Sequence, residues 1–544
     1  MRRLRFACAA AVAGASLLPA AALAAQPAAT PLDGRPPLAP DRTRDPLPDP
    51  EAKPLSLGKV ELGARPDVTI REIRFVGAGV PANVGRAAQR FVGKPASADN
   101  LAKLAAAMTR AYNRSSVALF TLVIPEQDLS EGVVTVASAE GYVGSVTLSG
   151  ERESGPAPLV AKMAGGLVGR RPLPRARFER ALGNIADIPG VTVTPTLALG
   201  GEQGAVALDL ALDAKKPTLG LGFTTRTSRF VDDGIVEANA RGSSLLRSGD
   251  ETRLTGAAAL NFKSLLYLAA SHSTPIGAGG TRAELSGAAL RTRPKGLAID
   301  GEAWSAGFAI THPLIRATRR NLIASARIDY LDSKNALFGS TIAAEKTWTA
   351  SGSLAFRLSE DRTVLGARVG GAKGLDFAGA RVDPGVGEVG FAYADASIEA
   401  NQAVGKAFVV RAAATGRWTH DRLPAAQRFS VGGATFGRAF EDGLVNGDRG
   451  YAAFGELAFR PLRSGGFSKS ELYGFVDYAD VTLLDRAAIP RTGFTLGSWG
   501  GGVRLSYAEN ATIGVEVADA WNQPVPGYDQ DWRVALSWKL SIRP

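Results

Sequence analysis

The feature that most constrains this chain is a period of two. From about residue 215 to residue 542, apolar and polar side chains alternate in short runs broken by Gly, Asn, Asp and Pro. In the run Asn321 to Tyr330, Leu322, Ala324, Ala326, Ile328 and Tyr330 fall on one face, and Ile323, Ser325, Arg327 and Asp329 on the other. Near the end, Trp532, Val534, Leu536, Trp538, Leu540 and Ile542 oppose Arg533, Ala535, Ser537, Lys539 and Ser541. Successive side chains of a strand point to opposite sides of its sheet, so each run is a strand with one apolar face. A soluble sandwich alternates as well. Here Arg, Lys and Asp recur opposite a face that carries Trp and Tyr, which matches lipid outside and water inside. Beyond the amino-terminal segment, no stretch supplies the run of about 18 apolar residues that a membrane helix needs. The expectation is therefore a membrane β-barrel over residues 215–544. At roughly 20 residues per strand with its share of loop, it holds about 16 antiparallel strands. An even number returns both barrel ends to the same side of the membrane.

The amino terminus fits an exported protein. Arg2, Arg3 and Arg5 precede an Ala-rich apolar run from Phe6 to Leu18, and Ala22-Leu23-Ala24 is a small-x-small cleavage site. Residues 1–24 read as a signal peptide. The single cysteine, Cys8, lies within it. The mature chain is thus expected to lack disulfides, and a closed barrel is one source of stability in their place. Residues 25–66 are a Pro-rich linker, with Pro27, Pro31, Pro36, Pro37 and Pro40 followed by five more prolines up to Pro66. Such spacing forbids a regular helix.

Residues 67–142 read as a compact α+β unit. Ile73 and Phe75 alternate with Glu72 and Arg74 as a strand. Pro81 to Phe91 is a first helix. Ser97 caps a second, with Leu101, Leu104, Ala105, Met108, Ala111 and Tyr112 on one face. Val117 to Ile124 is a strand that Pro125 stops, and another runs from Gly132 through Val136. The order β-α-α-β-β then repeats over residues 143–214. Val146 and Leu148 start it, helices follow at Leu159 to Val168 and after Pro174, and strands close it at Val191 to Leu199 and Ala205 to Leu212. Tandem copies of one small motif present sheet edges, or serve as passive spacers.

Chemistry-bearing patterns are absent from the sequence. His272, His312 and His420 are isolated, with no paired-ligand spacing, so no metal site is expected. No nucleophile elbow or phosphate loop appears, and Gly277 to Gly280 reads as a turn. Neither catalysis nor a cofactor is expected. The net charge of +11 comes without a dense basic run interleaved with aromatics, which argues against nucleic acid as a partner.

Five segments then carry a family resemblance. Tyr112, the strand to Ile124, and Pro125-Glu126-Gln127-Asp128-Leu129 with Gly132 resemble the first POTRA domain of two-partner secretion transporters, the haemolysin secretion/activation or ShlB/FhaC-like family. Leu423 to Gly433 resembles the run into that family's long sixth extracellular loop. Gly437-Arg438-Ala439-Phe440 resembles its loop tip, usually Val-Arg-Gly-Tyr/Phe. Asn446 to Tyr451 resembles the return to the barrel, and Phe475-Val476-Asp477 the Phe-x-Asp strand motif. The resemblance runs from about residue 67 to the end.

The resemblance implies two POTRA domains in the periplasm and a barrel in the outer membrane of a Gram-negative bacterium. The implied client is a large secreted adhesin or haemolysin with an N-terminal secretion domain. Recognition falls to the first POTRA domain around Tyr112, Pro125, Gln127 and Leu129. The loop tip is expected to fold into the lumen, with Arg438 meeting Asp477. Outer-membrane lipids and the barrel-assembly machinery are further implied partners. A sister role in barrel assembly or lipid translocation, or a plugged porin or receptor, is the alternative. Three departures stand out. Ala439 replaces the usual Gly, the Pro-rich segment is unlike the family's plug helix, and the sequence ends Ser541-Ile542-Arg543-Pro544 without a terminal aromatic, although Trp538 lies close by.

Overall fold

The computed structural model describes residues 65–542, apart from 151–154, 172, 201, 203, 229, 339, 384, 463, 487–488, 509, 525–527 and 529–531. The segments read as signal peptide and as most of the linker lie outside the described residues.

Two small α/β units come first. In the first, strand Glu72–Gly77 is followed by helices Ala82–Gln89 and Ala98–Tyr112 and by strands Phe120–Val123 and Val133–Glu140. The Ser97 side chain accepts the Asn100 N–H at 3.3 Å and so satisfies one of the free amides at the helix start. Leu101, Leu104, Met108 and Tyr112 are the buried face of that helix. Val133–Glu140 is central, parallel to Glu72–Gly77 and antiparallel to Phe120–Val123. A two-residue strand, Pro95–Ala96, pairs with Arg65–Thr69 as an addition to the expected order.

The second unit repeats the plan with strand Tyr142–Gly150, helices Ala157–Gly165 and Arg175–Ala186, and strands Val191–Leu199 and Ala205–Ala214. Arg175 ties the units together by donating to the carbonyls of Ser115 at 3.0 Å and Val117 at 2.9 Å. The same helix docks on the barrel. Arg180 donates to the Pro313 carbonyl at 2.8 Å, and Asp187 accepts from Arg316 at 2.6 and 2.8 Å.

Tyr112 is fully buried, its ring stacked 4.4 Å from Phe120, and among the described residues its hydroxyl has no hydrogen-bond partner. Burial, helped by the Glu140 charge, pushes the phenol up to about 12. The folded state therefore holds the proton more tightly than the unfolded chain, whose Tyr titrates near 10. This contribution to stability is complete below pH 10 and is lost as pH rises towards 12. Tyr112→Phe removes an unsatisfied buried hydroxyl at little change in shape. It is expected to be neutral or stabilising by up to about 1 kcal/mol. Hydrogen exchange of the first unit between pH 9 and 11 checks this, and the variant should lose part of the alkaline softening.

The remaining strands close into an antiparallel barrel with sixteen full-length strands among the described residues. The first, Thr218–Thr224, pairs with the last, Arg533–Ile542, from Thr224 opposite Ser537 to Leu219 opposite Ile542. Alternation is cleanest on the thirteenth strand, Glu471–Leu483. Tyr473, Phe475, Asp477 and Ala479 are buried inside, while Leu472, Val476 and Tyr478 are exposed outside. On Arg320–Leu337, Ile328 faces out, and Arg327 pairs with Asp329 at 2.6 Å inside. Outward aromatics neighbour one another, as in Trp304, Tyr330 and Trp348, with ring centroids 4.7 and 4.9 Å apart. Aromatic belts of this kind mark a membrane–water interface.

Candidate functional site: a loop folded into the lumen

The eleventh and twelfth barrel strands, Phe408–Trp418 and Arg449–Phe459, are joined by the long connection 419–448. This loop turns inward instead of projecting outward. Leu423, Val431, Arg438, Ala439, Phe440, Val445 and Asp448 are all buried. A short antiparallel pair, Phe429–Val431 with Val445–Gly447, stiffens its stem. Gly432 and Gly433 both have φ +106°, and a Cβ on either would overlap the Glu441 carbonyl or the Asp442 carboxylate. Only glycine fits that bend. Gly437, at φ +72°, makes the turn at the tip. Ala439 does not need the left-handed region, since its φ is not positive, so an alanine is compatible with this tip.

The tip is held from several walls. Both oxygens of Asp477 accept backbone N–H groups of the tip, Gly437 at 2.7 Å and Arg438 at 3.2 Å, and the Ser498 hydroxyl donates to it at 2.6 Å. The Arg438 side chain goes elsewhere. Its Nη1 reaches Glu456 at 3.0 Å and Glu516 at 3.4 Å. Its guanidinium lies 4.2 Å from the Phe475 ring centroid and 5.1 Å from that of Phe454, a cation–π arrangement. Arg438 meets Asp477 through its backbone N–H and not through the expected side-chain pair. A guanidinium–carboxylate fork between the two is not formed, because Glu456 and Glu516 project from neighbouring walls to where the side chain ends. Phe440 is fully buried and faces Tyr528 at 6.3 Å.

The acids that hold Arg438 are themselves shared. Glu456 also pairs with Arg411 at 2.9 Å and Arg504 at 2.8 Å. Glu516 pairs with Arg226 and accepts the Tyr473 hydroxyl at 2.7 Å. Arg226 in addition donates to the Arg438 carbonyl at 3.0 Å. Each acid of the network is paired, whereas on Arg438 only Nη1 is hydrogen-bonded among the described residues, and the buried Nε and Nη2 are without a hydrogen-bond partner beside the Phe475 and Phe454 rings.

A second fastening sits at the loop root. Asp448 is fully buried and accepts the N–H groups of Leu423 and Leu484, both at 2.7 Å. Arg486 grips the same carboxylate with two nitrogens, at 2.7 and 3.0 Å, and donates to the Val386 carbonyl at 2.9 Å. Start and end of the long loop are thereby joined to the loops on either side. Asp448 lies inside the segment Asn446 to Tyr451, whose resemblance implies no role for it. Glu456, Glu516, Arg226 and Arg486 belong to none of the quoted motifs. The only signal for Glu456 and Glu516 is a charge on the inward parity of a strand.

In the first α/β unit, the proposed recognition residues separate. Tyr112 and Leu129 are core residues and so cannot touch a client directly. Gln127 is structural as well. Its side chain accepts the Thr135 N–H at 2.6 Å and donates to the Thr135 and Pro125 carbonyls at 2.9 and 3.1 Å. It occupies the edge of Val133–Glu140 just where Phe120–Val123 stops pairing. Among the described residues no group of three metal-ligating side chains occurs, and no helix is long and apolar enough to cross a membrane.

A sixteen-stranded barrel with an inward-folded loop and two preceding α/β units defines an outer-membrane transporter. The sequence profile of the haemolysin secretion/activation protein ShlB/FhaC/HecB family matches residues 238–505, and that of the ShlB-type POTRA domain matches residues 68–141. The chain belongs to this family of two-partner secretion transporters. It is 22% identical over 470 residues to the heme/hemopexin transporter protein HuxB of Haemophilus influenzae, with 81% of each chain covered. Its fold is similar to that of CdiB from Escherichia coli, with TM-score 0.68, 18% identity and coverage of 92% and 94%. CdiB from Acinetobacter baumannii gives TM-score 0.61 at 18% identity, with 92% and 95% covered. The first α/β unit is a POTRA domain, periplasmic in this family, the second repeats its plan, and the barrel lies in the outer membrane.

Proposed function

We propose that the exported client binds first as an extended strand along the free edge of Phe120–Val123, in the cavity between the two POTRA units. Among the described residues that strand has a neighbour on one side only, Val133–Glu140. It borders a cavity of about 1130 Å³ that Ala102, Ala105, Thr109, Phe178, Leu182 and Val193 also line. A free edge supplies backbone hydrogen bonds that tolerate many sequences, and apolar walls supply pockets for alternate side chains. Pro125 and the Gln127 side chain close the edge beyond Val123, so the client contributes a short segment there. The free edge facing an apolar cavity is the observation that carries the reading.

The client is an unfolded secreted protein of adhesin or haemolysin type. With no nucleotide-binding pattern in the sequence, the driving force is its folding outside, which makes return unfavourable. Outer-membrane lipids surround the apolar wall, and the barrel-assembly machinery inserts it. Arg438 and Asp477 hold the loop tip in the lumen between export events, with Gly437, Ala439, Phe440 and Phe475 shaping its seat.

Deleting residues 67–142 is expected to abolish client export while the barrel still inserts. Client in the medium and heat-modifiable gel mobility of the barrel read the two outcomes. Undiminished export would move recognition elsewhere.

A further inference from the structure

We propose that the periplasmic turn 244–250, between the second and third barrel strands, is a membrane-surface anchor. It sets Leu245 and Leu246 among the inner-leaflet acyl chains and Arg247 at the phospholipid phosphates, and so holds the second POTRA unit at the membrane plane. The turn displays its leucines rather than hiding them. Leu245 is 59% exposed and Leu246 82%. Yet the backbone beneath is tightly fixed. The wholly buried Asp250 carboxylate accepts the N–H groups of Leu245 at 2.8 Å, Leu246 at 3.0 Å and Arg247 at 2.6 Å. Ser244 adopts φ +55°, and its hydroxyl accepts the Gly249 N–H at 3.0 Å. Arg282 donates to the Gly249 carbonyl at 3.0 Å. Such fixing keeps two adjacent leucines out of the protein interior.

Their position names the partner. Gly242 shares the outward parity of Ala238 and Ala240 on strand Ile235–Ser243. A Cβ at Gly242 would lie 2.9 Å from the Leu245 side chain, so Leu245 folds back onto the lipid-facing wall. Gly242 pairs with Thr252, and Thr252 with His272. The Thr252 hydroxyl and His272 Nδ1 are 2.9 Å apart, a polar pair at the wall's periplasmic rim. Above that rim the same face carries Leu254 and Leu268, 53% and 58% exposed. The two leucines therefore continue an apolar surface already facing lipid, at the level where headgroups begin. Apolar side chains followed by a cation suit that level, with chains on one side and phosphate on the other.

The turn is also the seat of the second POTRA unit. The Leu159 N–H at the start of helix Ala157–Gly165 donates to the Ser248 hydroxyl at 3.2 Å, and the Leu159 side chain packs over Gly249. The depth of the turn in the leaflet thus fixes the height of that unit, and with it the height of the cavity between the units.

The test places a probe at the tip. Leu246→Cys in the full chain, with Cys8→Ser, is labelled with an environment-sensitive nitrobenzoxadiazole dye. The protein is reconstituted in phosphatidylcholine–phosphatidylglycerol vesicles with or without nitroxide-labelled lipid. Glu202→Cys, on the exposed end of the second POTRA unit, is the comparison. The dye at 246 is expected to be quenched several-fold more by nitroxide lipid than the dye at 202, and shielded from iodide present on both sides. Equal lipid quenching at the two positions would place the turn in water. Shielding from both quenchers would place it against protein, a client or a second copy. Either result overturns the proposal. Leu245→Cys gives an independent reading if the first variant does not show the heat-modifiable mobility of a closed barrel.

Discussion

Arg438→Glu is expected to destabilise the folded barrel by about 3–5 kcal/mol, the cost of leaving buried charge uncompensated. The substitution would set a third carboxylate beside Glu456 and Glu516, with Arg438 now fully buried between Phe454 and Phe475. The rings that favour a cation there disfavour an anion. Arg438→Met keeps much of the volume and removes the charge. It is expected to cost less, because Glu456 retains Arg411 and Arg504, and Glu516 retains Arg226. The second-site pattern is the sharper reading. Glu516→Gln combined with Arg438→Glu should recover part of the loss. Asp477→Arg should recover none, since Asp477 holds the amides of Gly437 and Arg438 and the Ser498 hydroxyl. The shift in the urea midpoint of heat-modifiable mobility, taken as a double-mutant cycle, measures both. Recovery through Asp477→Arg would instead show a direct side-chain pair.

The two fastenings of the loop differ in kind. At the root, Asp448 and Arg486 form a planar two-bonded pair that also collects backbone groups from adjoining loops, the geometry that suits a fixed clamp. At the tip, charges are shared among several partners from different strands. Such a network can exchange partners when water enters the lumen, because each carboxylate keeps another cation.

Much of the architecture was legible because it is written at short range. Ser97 three residues before Asn100, the helical face of Leu101 to Tyr112, and Pro174 ahead of Arg175–Ala186 are local signals, and the structure has those elements. The period of two gave the faces of Arg320–Leu337 correctly, down to Arg327 and Asp329 inside. What failed was long range. Parity shows that Glu456, Asp477 and Glu516 point inward, but only the register between strands shows which of them lies beside Arg438. Motif order suggested Asp477, and register supplied Glu456 and Glu516 instead. The Arg486–Asp448 clamp joins residues from different loops, so no periodicity announces it. Tyr112 and Leu129 sit among motif residues for a physical reason that the motif hides, since they pack the first POTRA core. Ala439 stands where the family usually has a tip glycine, and the left-handed turns fall on Gly432, Gly433 and Gly437.

The inward loop occupies the barrel lumen. A barrel of this strand number, without an inward loop, leaves a water-filled channel. Here residues 429–447 fill it with Phe436, Arg438, Ala439 and Phe440, packed against Phe454, Phe475 and Leu496. Removing residues 433–443 would leave the paired stem Phe429–Val431 and Val445–Gly447 and the root clamp in place, while taking away the tip. Single-channel conductance in planar bilayers reads the difference directly. The intact chain is expected to show small, fluctuating conductance, and the chain without the tip a several-fold larger, steadier one. An unchanged conductance, with the barrel shown to be folded by its heat-modifiable mobility, would contradict an occupied lumen.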